Sequence, residues 1–235
     1  MAVAAKDKVL TARQAARMSR ILSTAQQLLG EVGVEQMTMR ALAVASGVSA
    51  ATLYNRFGTK DGVVTLAVLD HYEREIRRVI RSNAHLGTPV AQLVASIRVI
   101  VADCLRRPGF AAALMSAYFK IGNEREMPTR LYETQMQSWL PLLQAMHEQG
   151  SLQSWASIPL LAEELSDRMF GVVMKWVQGM IPDAAFADRA VITVLLPLAA
   201  GSQAAQATEL AAVIAATSRR LERQRAKPAA ARRRS

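Results

Sequence analysis

From Arg20 to Gly33 the apolar residues Ile21, Leu22, Ala25, Leu28, Leu29 and Val32 recur at the three- and four-residue steps that put them on one face of an α-helix. Further helical segments are separated by breakers: Gly87-Thr88-Pro89, Pro108-Gly109, Gly122-Asn123, Gly150-Ser151, Ile158-Pro159 and Pro182-Asp183. No stretch shows sustained two-residue alternation bounded by hairpin turns. The expected class is therefore all-α. A chain of 235 residues has room for one or two domains with a well-buried core.

The most informative region follows the first helix. Gly33 suits a helix end. Thr38 can cap a short helix running to about Ala45, with Leu42 and Ala43 facing inward. After Ser46-Gly47-Val48, Ser49 can cap another through about Phe57, in which Leu53 and Phe57 share a face. Gly58-Thr59 ends it, and a longer helix runs to about Arg81. Two short helices joined at a glycine are the sequence form of a helix-turn-helix. A recognition helix must present a thin first turn to a major groove about 12 Å wide, and Ser49, Ala50, Ala51 and Thr52 supply one.

The combination Arg20-Ile21-Leu22, Ala25, Gly33, Thr38-Met39-Arg40, Leu42-Ala43, Ala45, Gly47-Val48-Ser49, Thr52-Leu53-Tyr54, Phe57 and Lys60 resembles the N-terminal domain of the tetracycline-repressor (TetR) family of bacterial transcription regulators. The resemblance runs from about Arg20 to Leu66, 47 of 235 residues. It implies that Tyr54 and Lys60 hold phosphates and that Thr38 is a phosphate or cap residue. Ser49, Ala50, Ala51, Thr52 and Asn55 would face the groove, with Arg40 and Arg56 completing the DNA-binding set. Thr52 could meet a thymine methyl or a phosphate, and Asn55 could pair with adenine. Arg13, Arg17 and Arg20 share a face leading into the first helix, toward either DNA backbone or water. Leu53, Phe57, Leu42, Val48, Leu28 and Ile21 form the expected core behind the reader. One departure is Asp61-Gly62-Val63, where the family usually has an acidic pair and leucine after the lysine; Gly62 is expected to loosen the helix start by up to about 1 kcal/mol.

The formal net charge of +10 divides unevenly: +4 over residues 1–62, −1 over 63–218 and +7 over 219–235. Basic ends favour polyanions. The neutral middle is rich in methionine and aromatics. Met115, Phe119, Met136, Trp139, Met146, Phe170 and Met174, with Tyr118 and Trp155, are the candidates for a pocket taking an apolar or amphipathic ligand; ordinary core is the alternative. Apolar stripes through Leu165, Met169, Val172, Val173 and Trp176, and through Val191, Val194, Leu195 and Leu198, must be buried in the chain's own core or against a twin. The resemblance implies the second: a homodimer contact of four helices, and with it a pseudo-palindromic operator.

The expected organisation is a flexible arm (residues 1–11), a helix-turn-helix DNA-binding domain (12–60), a connecting helix (61–81), a helical ligand-binding and dimerisation domain (82–225) and a disordered basic tail (226–235). One cysteine, Cys104, permits no internal disulfide, and the N-terminus has no apolar signal core, so a cytoplasmic location is expected. The longest uncharged stretch, Ala190 to Thr208, holds Pro197 and Gly201 and reads as buried helix rather than a membrane span. No cofactor, metal or catalytic residue is expected. His71, His85 and His147 fall in no ligand spacing, and nucleophile-elbow, phosphate-loop and dinucleotide motifs are lacking; His71 reads as helix surface and Cys104 as a small core residue. The expected function is a ligand-responsive transcriptional repressor acting on double-stranded operator DNA. The alternative is a non-specific architectural DNA-binding protein without ligand control. If the tail only adds charge, deleting residues 219–235 lowers affinity for random duplex much more than it alters preference between operator and random DNA in a competition assay; a lost preference would place sequence reading in the tail.

Overall fold

The computed structural model describes residues 12–83, 85–119 and 126–226, except for the side chains of residue 12 and residues 126–128. The expected arm and nearly all of the expected basic tail lie outside the described residues. The order is α1 (Ala12–Gln36), α2 (Met39–Ser46), α3 (Ala50–Phe57), α4 (Lys60–Asn83), α5 (Pro89–Arg106), α6 (Pro108–Tyr118), α7 (Glu126–Glu148), α8 (Ile158–Val177), α9 (Asp183–Ala200) and α10 (Ala204–Ala226). Among the described residues no strand forms, and one isolated antiparallel bridge joins Leu152 to Ser202. No described helix is long and apolar enough to cross a membrane.

Local chemistry sets the helix starts. Thr38, Ser49, Thr88 and Ser157 each accept a hydrogen bond from the backbone N–H three residues on. Pro89, Pro108 and Pro159 occupy first turns, where proline costs no intrahelical bond. Gly33 does not end α1 outright: the backbone kinks there and helix resumes to Gln36.

Two units share α4. Its first half buries Val63, Val64 and Ala67 beside α1, whose buried Gln26 donates to the Ala67 carbonyl (2.9 Å) and to Asp70 Oδ2 (2.8 Å) while accepting from Arg74. Its second half enters the C-terminal bundle: the Tyr72 hydroxyl donates to Gln135 Oε1 on α7, and the Asn83 amide donates to Ser96 Oγ on α5 (3.0 Å). The α6 start also abuts α1 directly. A Cβ added to Gly109 would lie 3.2 Å from the Leu29 carbonyl oxygen and 3.5 Å from Gly33 Cα, so glycine permits this backbone approach.

In the bundle, α8 packs on α6, α7 and α9, and α9 on α5, α8 and α10. Trp139 Nε1 donates to Ser166 Oγ between α7 and α8 (3.2 Å). Trp176 stacks on Phe186 with centroids 4.7 Å apart. The residues expected at a dimer contact lie inside this packing. Leu165, Met169, Val172, Val173, Trp176, Val191, Val194, Leu195 and Leu198 are all buried within one chain, at 8% exposure or less. The stripes of α8 and α9 are consumed against each other and their neighbours in the same chain. Their outward faces instead carry Leu160, Ile192 and Leu196, with Met180 just beyond α8.

Asp188 on α9 ties three helices, accepting from Arg98 on α5 (3.1 Å) and Arg220 on α10 (3.0 Å). Burial opposes its ionisation, but the hydrogen bonds and charges of Arg220 and Arg98 prevail and hold the carboxyl below its usual range. Its contribution is complete above the ordinary carboxylate range and is lost as pH falls through the folded value. Asp188→Asn is expected to cost about 1–2 kcal/mol at neutral pH, the exposure of both guanidinium groups moderating the loss, with wild type and variant converging in acid. Denaturant melts across pH measure this; an equal deficit at all pH values would contradict it.

Candidate functional site

The recognition helix α3 is fixed from behind by short-range chemistry. Leu53 and Phe57 are buried beside Leu42, Ala25, Leu29 and Ile21, while Leu28 and Val48 are partly buried against the same core. Met37, not singled out from the sequence, and Met39, not among the expected core residues, are also buried. Their signal was present: Met37 precedes the cap Thr38 and Leu42 lies in the fourth helical position, the pattern of a hydrophobic staple.

The outward side carries the polar set. Thr38, Arg40, Ser49, Ala50, Ala51, Tyr54, Asn55 and Arg56 are exposed, and Thr52 and Lys60 are half-buried. Tyr54, at 53% exposure, is no packing residue. Ser49 Oγ accepts from the Thr52 amide (3.2 Å) and lies 2.9 Å from Thr52 Oγ1, which also accepts from Arg17 Nη2 at 3.5 Å. Arg13, Arg17, Arg20 and Gly47 line an open groove. Lys60 Nζ donates to the Glu35 carbonyl at 3.3 Å and makes no ion pair among the described residues. The face therefore combines free cationic groups with a helix N-terminus whose first turn bears only small side chains, an arrangement suited to phosphate and groove contact.

Gly62 has a structural reason. A Cβ there would lie 2.2 Å from the Phe57 carbonyl oxygen, because the start of α4 passes directly over the end of α3. The expected loosening is thus offset by a close approach that only glycine allows.

A second feature lies between α4, α5 and α6: a cavity of about 40 Å³ with mainly apolar walls, including Ile76, Val79, Val99, Ile100, Phe110 and Leu114. Its polar side holds His71, which is buried, not on the helix surface as its sequence context suggests. Arg107 Nη1 lies 3.3 Å from His71 Nδ1, and His71 Nε2 lies 3.2 Å from Asp103 Oδ2. A guanidinium can only donate, so Nδ1 can accept from Arg107 only in the neutral ring, whereas Nε2–H donates to Asp103 in either protonation state. Asp103 Oδ1 also accepts from Arg106 at 2.7 Å. Burial disfavours the Asp103 carboxylate, but the His71 hydrogen bond, the charges of His71 and Arg107 and the Arg106 hydrogen bond outweigh it and lower its pKa. Burial, with the Asp103 charge, pushes the Cys104 thiol up to about 12, leaving it unreactive.

None of the seven expected pocket residues lines this cavity. Met115, Trp139, Met146 and Phe170 are close-packed core, Met136 and Met174 are partly buried, and Phe119 and Trp155 are exposed at 46% and 64%. Tyr118 stacks on Phe170 with ring centroids 3.9 Å apart.

Residues 21–66 match the family model described as bacterial regulatory proteins, tetR family. The HTH-type transcriptional regulator UidR of Escherichia coli (strain K12) is 26% identical over 128 residues, covering 49% of this chain and 65% of UidR. The chain thus spans about two thirds of the length of that curated relative. Among solved structures, Thermus thermophilus FadR, a TetR family transcriptional repressor in complex with lauroyl-CoA, aligns with TM-score 0.64 and 21% identity over 77% of this chain and 93% of that one. SmeT, the repressor of the Stenotrophomonas maltophilia multidrug efflux pump SmeDEF, aligns with TM-score 0.60 and 18% identity over 80% and 91%. Bacillus subtilis FadR in complex with stearoyl-CoA aligns with TM-score 0.61 and 16% identity over 75% and 97%. These likenesses show the fold.

Gly62→Ala is expected to destabilise the N-terminal unit by about 1–3 kcal/mol, since backbone must shift to admit the methyl group. A melt following Tyr54 in α3 measures it, and unchanged stability would mean the α3–α4 junction yields freely.

Proposed function

Because residues 21–66 match the model of the tetR family of bacterial regulatory proteins, we propose that the chain is a member of that family and a ligand-responsive transcriptional repressor binding a pseudo-palindromic operator as a homodimer. The observation that carries the reading is the exposed face of α3: a capped, thin first turn at Ser49–Thr52, flanked by Tyr54, Asn55, Arg56, Lys60 and Arg17, on a rigid apolar support. In it, Lys60, Tyr54, Thr38 and Arg40 take phosphates, while Thr52, Asn55 and Arg56 meet base edges and the Ala50 and Ala51 methyl groups leave part of the specificity to DNA shape. Residues 12–60 are the reader, 61–81 the connector and 82–225 the sensing and dimerising domain. The place of action is the cytoplasm.

The outward faces of α8 and α9, with Leu160, Ile192 and Leu196, are the surfaces offered to a second copy, replacing the buried residues expected there. A two-fold axis through them pairs two recognition helices with matching half-sites. The relatives holding lauroyl-CoA and stearoyl-CoA support an apolar or amphipathic effector here. The α4–α5–α6 cavity is its point of entry. With about 40 Å³ of space it must expand for any ligand of ordinary size, so occupation favours a conformation with α4 and α6 displaced. Both helices bear on α1, through the Gln26 bonds and the Gly109 contact, and shift the separation of the recognition helices.

Footprinting at several salt concentrations is expected to show a discrete inverted repeat whose half-sites lie about 34–36 Å apart or at a compatible multiple. Lys60→Ala should weaken binding to every sequence and lower the salt slope by about one; an unchanged slope removes it from the phosphate set. The net charge of +10 favours the architectural reading as the rival. Equal affinity for operator and random DNA would establish that rival.

A further inference from the structure

The inference here rests on the regulator reading and deepens it by giving the chemistry of the ligand. The charged groups around the α4–α5–α6 cavity are not equivalent. Glu75 is paired with Arg78, at 2.6 Å and 3.0 Å, and Asp103 is occupied by Arg106 on one oxygen and His71 on the other. Both Asp103 oxygens are thus occupied, and Glu75 is held through Oε2. Arg107 differs: half-buried at the α5–α6 junction, it makes no ion pair among the described residues, and its one side-chain partner is the His71 ring, reached through Nη1. Its Nη2 and Nε hydrogens have no partner among the described residues. A guanidinium carries five donors in a planar fork that matches a carboxylate or phosphate, and its charge counts for more against apolar walls than in water. A carboxylate or phosphate matches those donors in a way that a neutral apolar ligand does not.

We propose that this cavity takes an amphipathic ligand whose anionic head, a carboxylate or a phosphate, is held by Arg107 beside His71, while its aliphatic body enters among Ile76, Val79, Ile100 and Leu114. The body exceeds the present space, so its entry parts α4 from α5 and α6. His71 and Arg107 join the two sides of that opening, which places the head contact at the point where α4 is released from α5 and α6. The ligand's charge fixes its orientation and its length does the work of separation.

Calorimetry and thermal shift of the full chain with octanoate, octyl phosphate, octan-1-ol and octanoyl-CoA test this. Charge-assisted contacts should make an anionic probe bind about tenfold or more tighter than octan-1-ol. Arg107→Gln, its fold checked by circular dichroism, should erase that preference, and Arg107→Lys should restore part of it. Tight octanoate with weak octyl phosphate and octanoyl-CoA identifies a carboxylate head; Arg107-dependent binding of octyl phosphate or octanoyl-CoA, neither of which has a free carboxylate, identifies a phosphate. Octan-1-ol binding as well as the anions, failure of all anionic probes to bind, or a preference surviving Arg107→Gln overturns the proposal. The same wild-type samples are footprinted on DNA. Arg107-dependent anion binding without a discrete footprint supports the ligand site and sinks the regulator reading, so the two fail separately.

Discussion

The placement of the N-terminal helices on the bundle depends first on the buried contact between α1 and α4. Gln26 sits in that contact with its amide spent on the Ala67 carbonyl and Asp70, and its oxygen accepts from Arg74. A buried side-chain amide in this position is costly unless every group is matched, so the register of α4 on α1 is strongly specified. Below it, Val63, Val64 and Ala67 seat the reader; above it, Tyr72 and His71 anchor α4 in the bundle. One helix therefore cannot shift at its upper end without acting on the lower.

The second link is shorter. The Arg107-Pro108-Gly109 segment faces the cavity at Arg107 and touches α1 at Gly109, two residues later. Two discrete connections thus join the elements around the cavity to α1.

The N-terminal third was legible in the sequence because its determinants are local. Caps at Thr38 and Ser49 and the apolar face of α1 act within a few residues, and the structure carries each of them out. The bundle was less legible. The stripes of α8 and α9 announce burial without naming what buries them, and Val191, Val194 and Leu198 turn inward on the same chain. Methionine and aromatic content likewise cannot separate a lining from a close-packed core, which is why Trp139 and Phe170 fill space while the cavity lies among Ile76, Ile100 and Leu114. His71 follows Asp70 in sequence, yet its carboxylate partner is Asp103, 32 residues on, a contact no local pattern reveals.

The most direct test of the central claim is an intermolecular distance. With Cys104 as the only cysteine, a Val44→Cys chain in a Cys104→Ser background carries one spin label per protomer, on an exposed α2 position outside the DNA-binding set. Pulsed electron resonance is expected to give one intersubunit distance distribution for free protein, narrowing to a single separation with operator duplex and not with a scrambled one. The same distribution with both duplexes, or no intersubunit distance at all, would contradict the account.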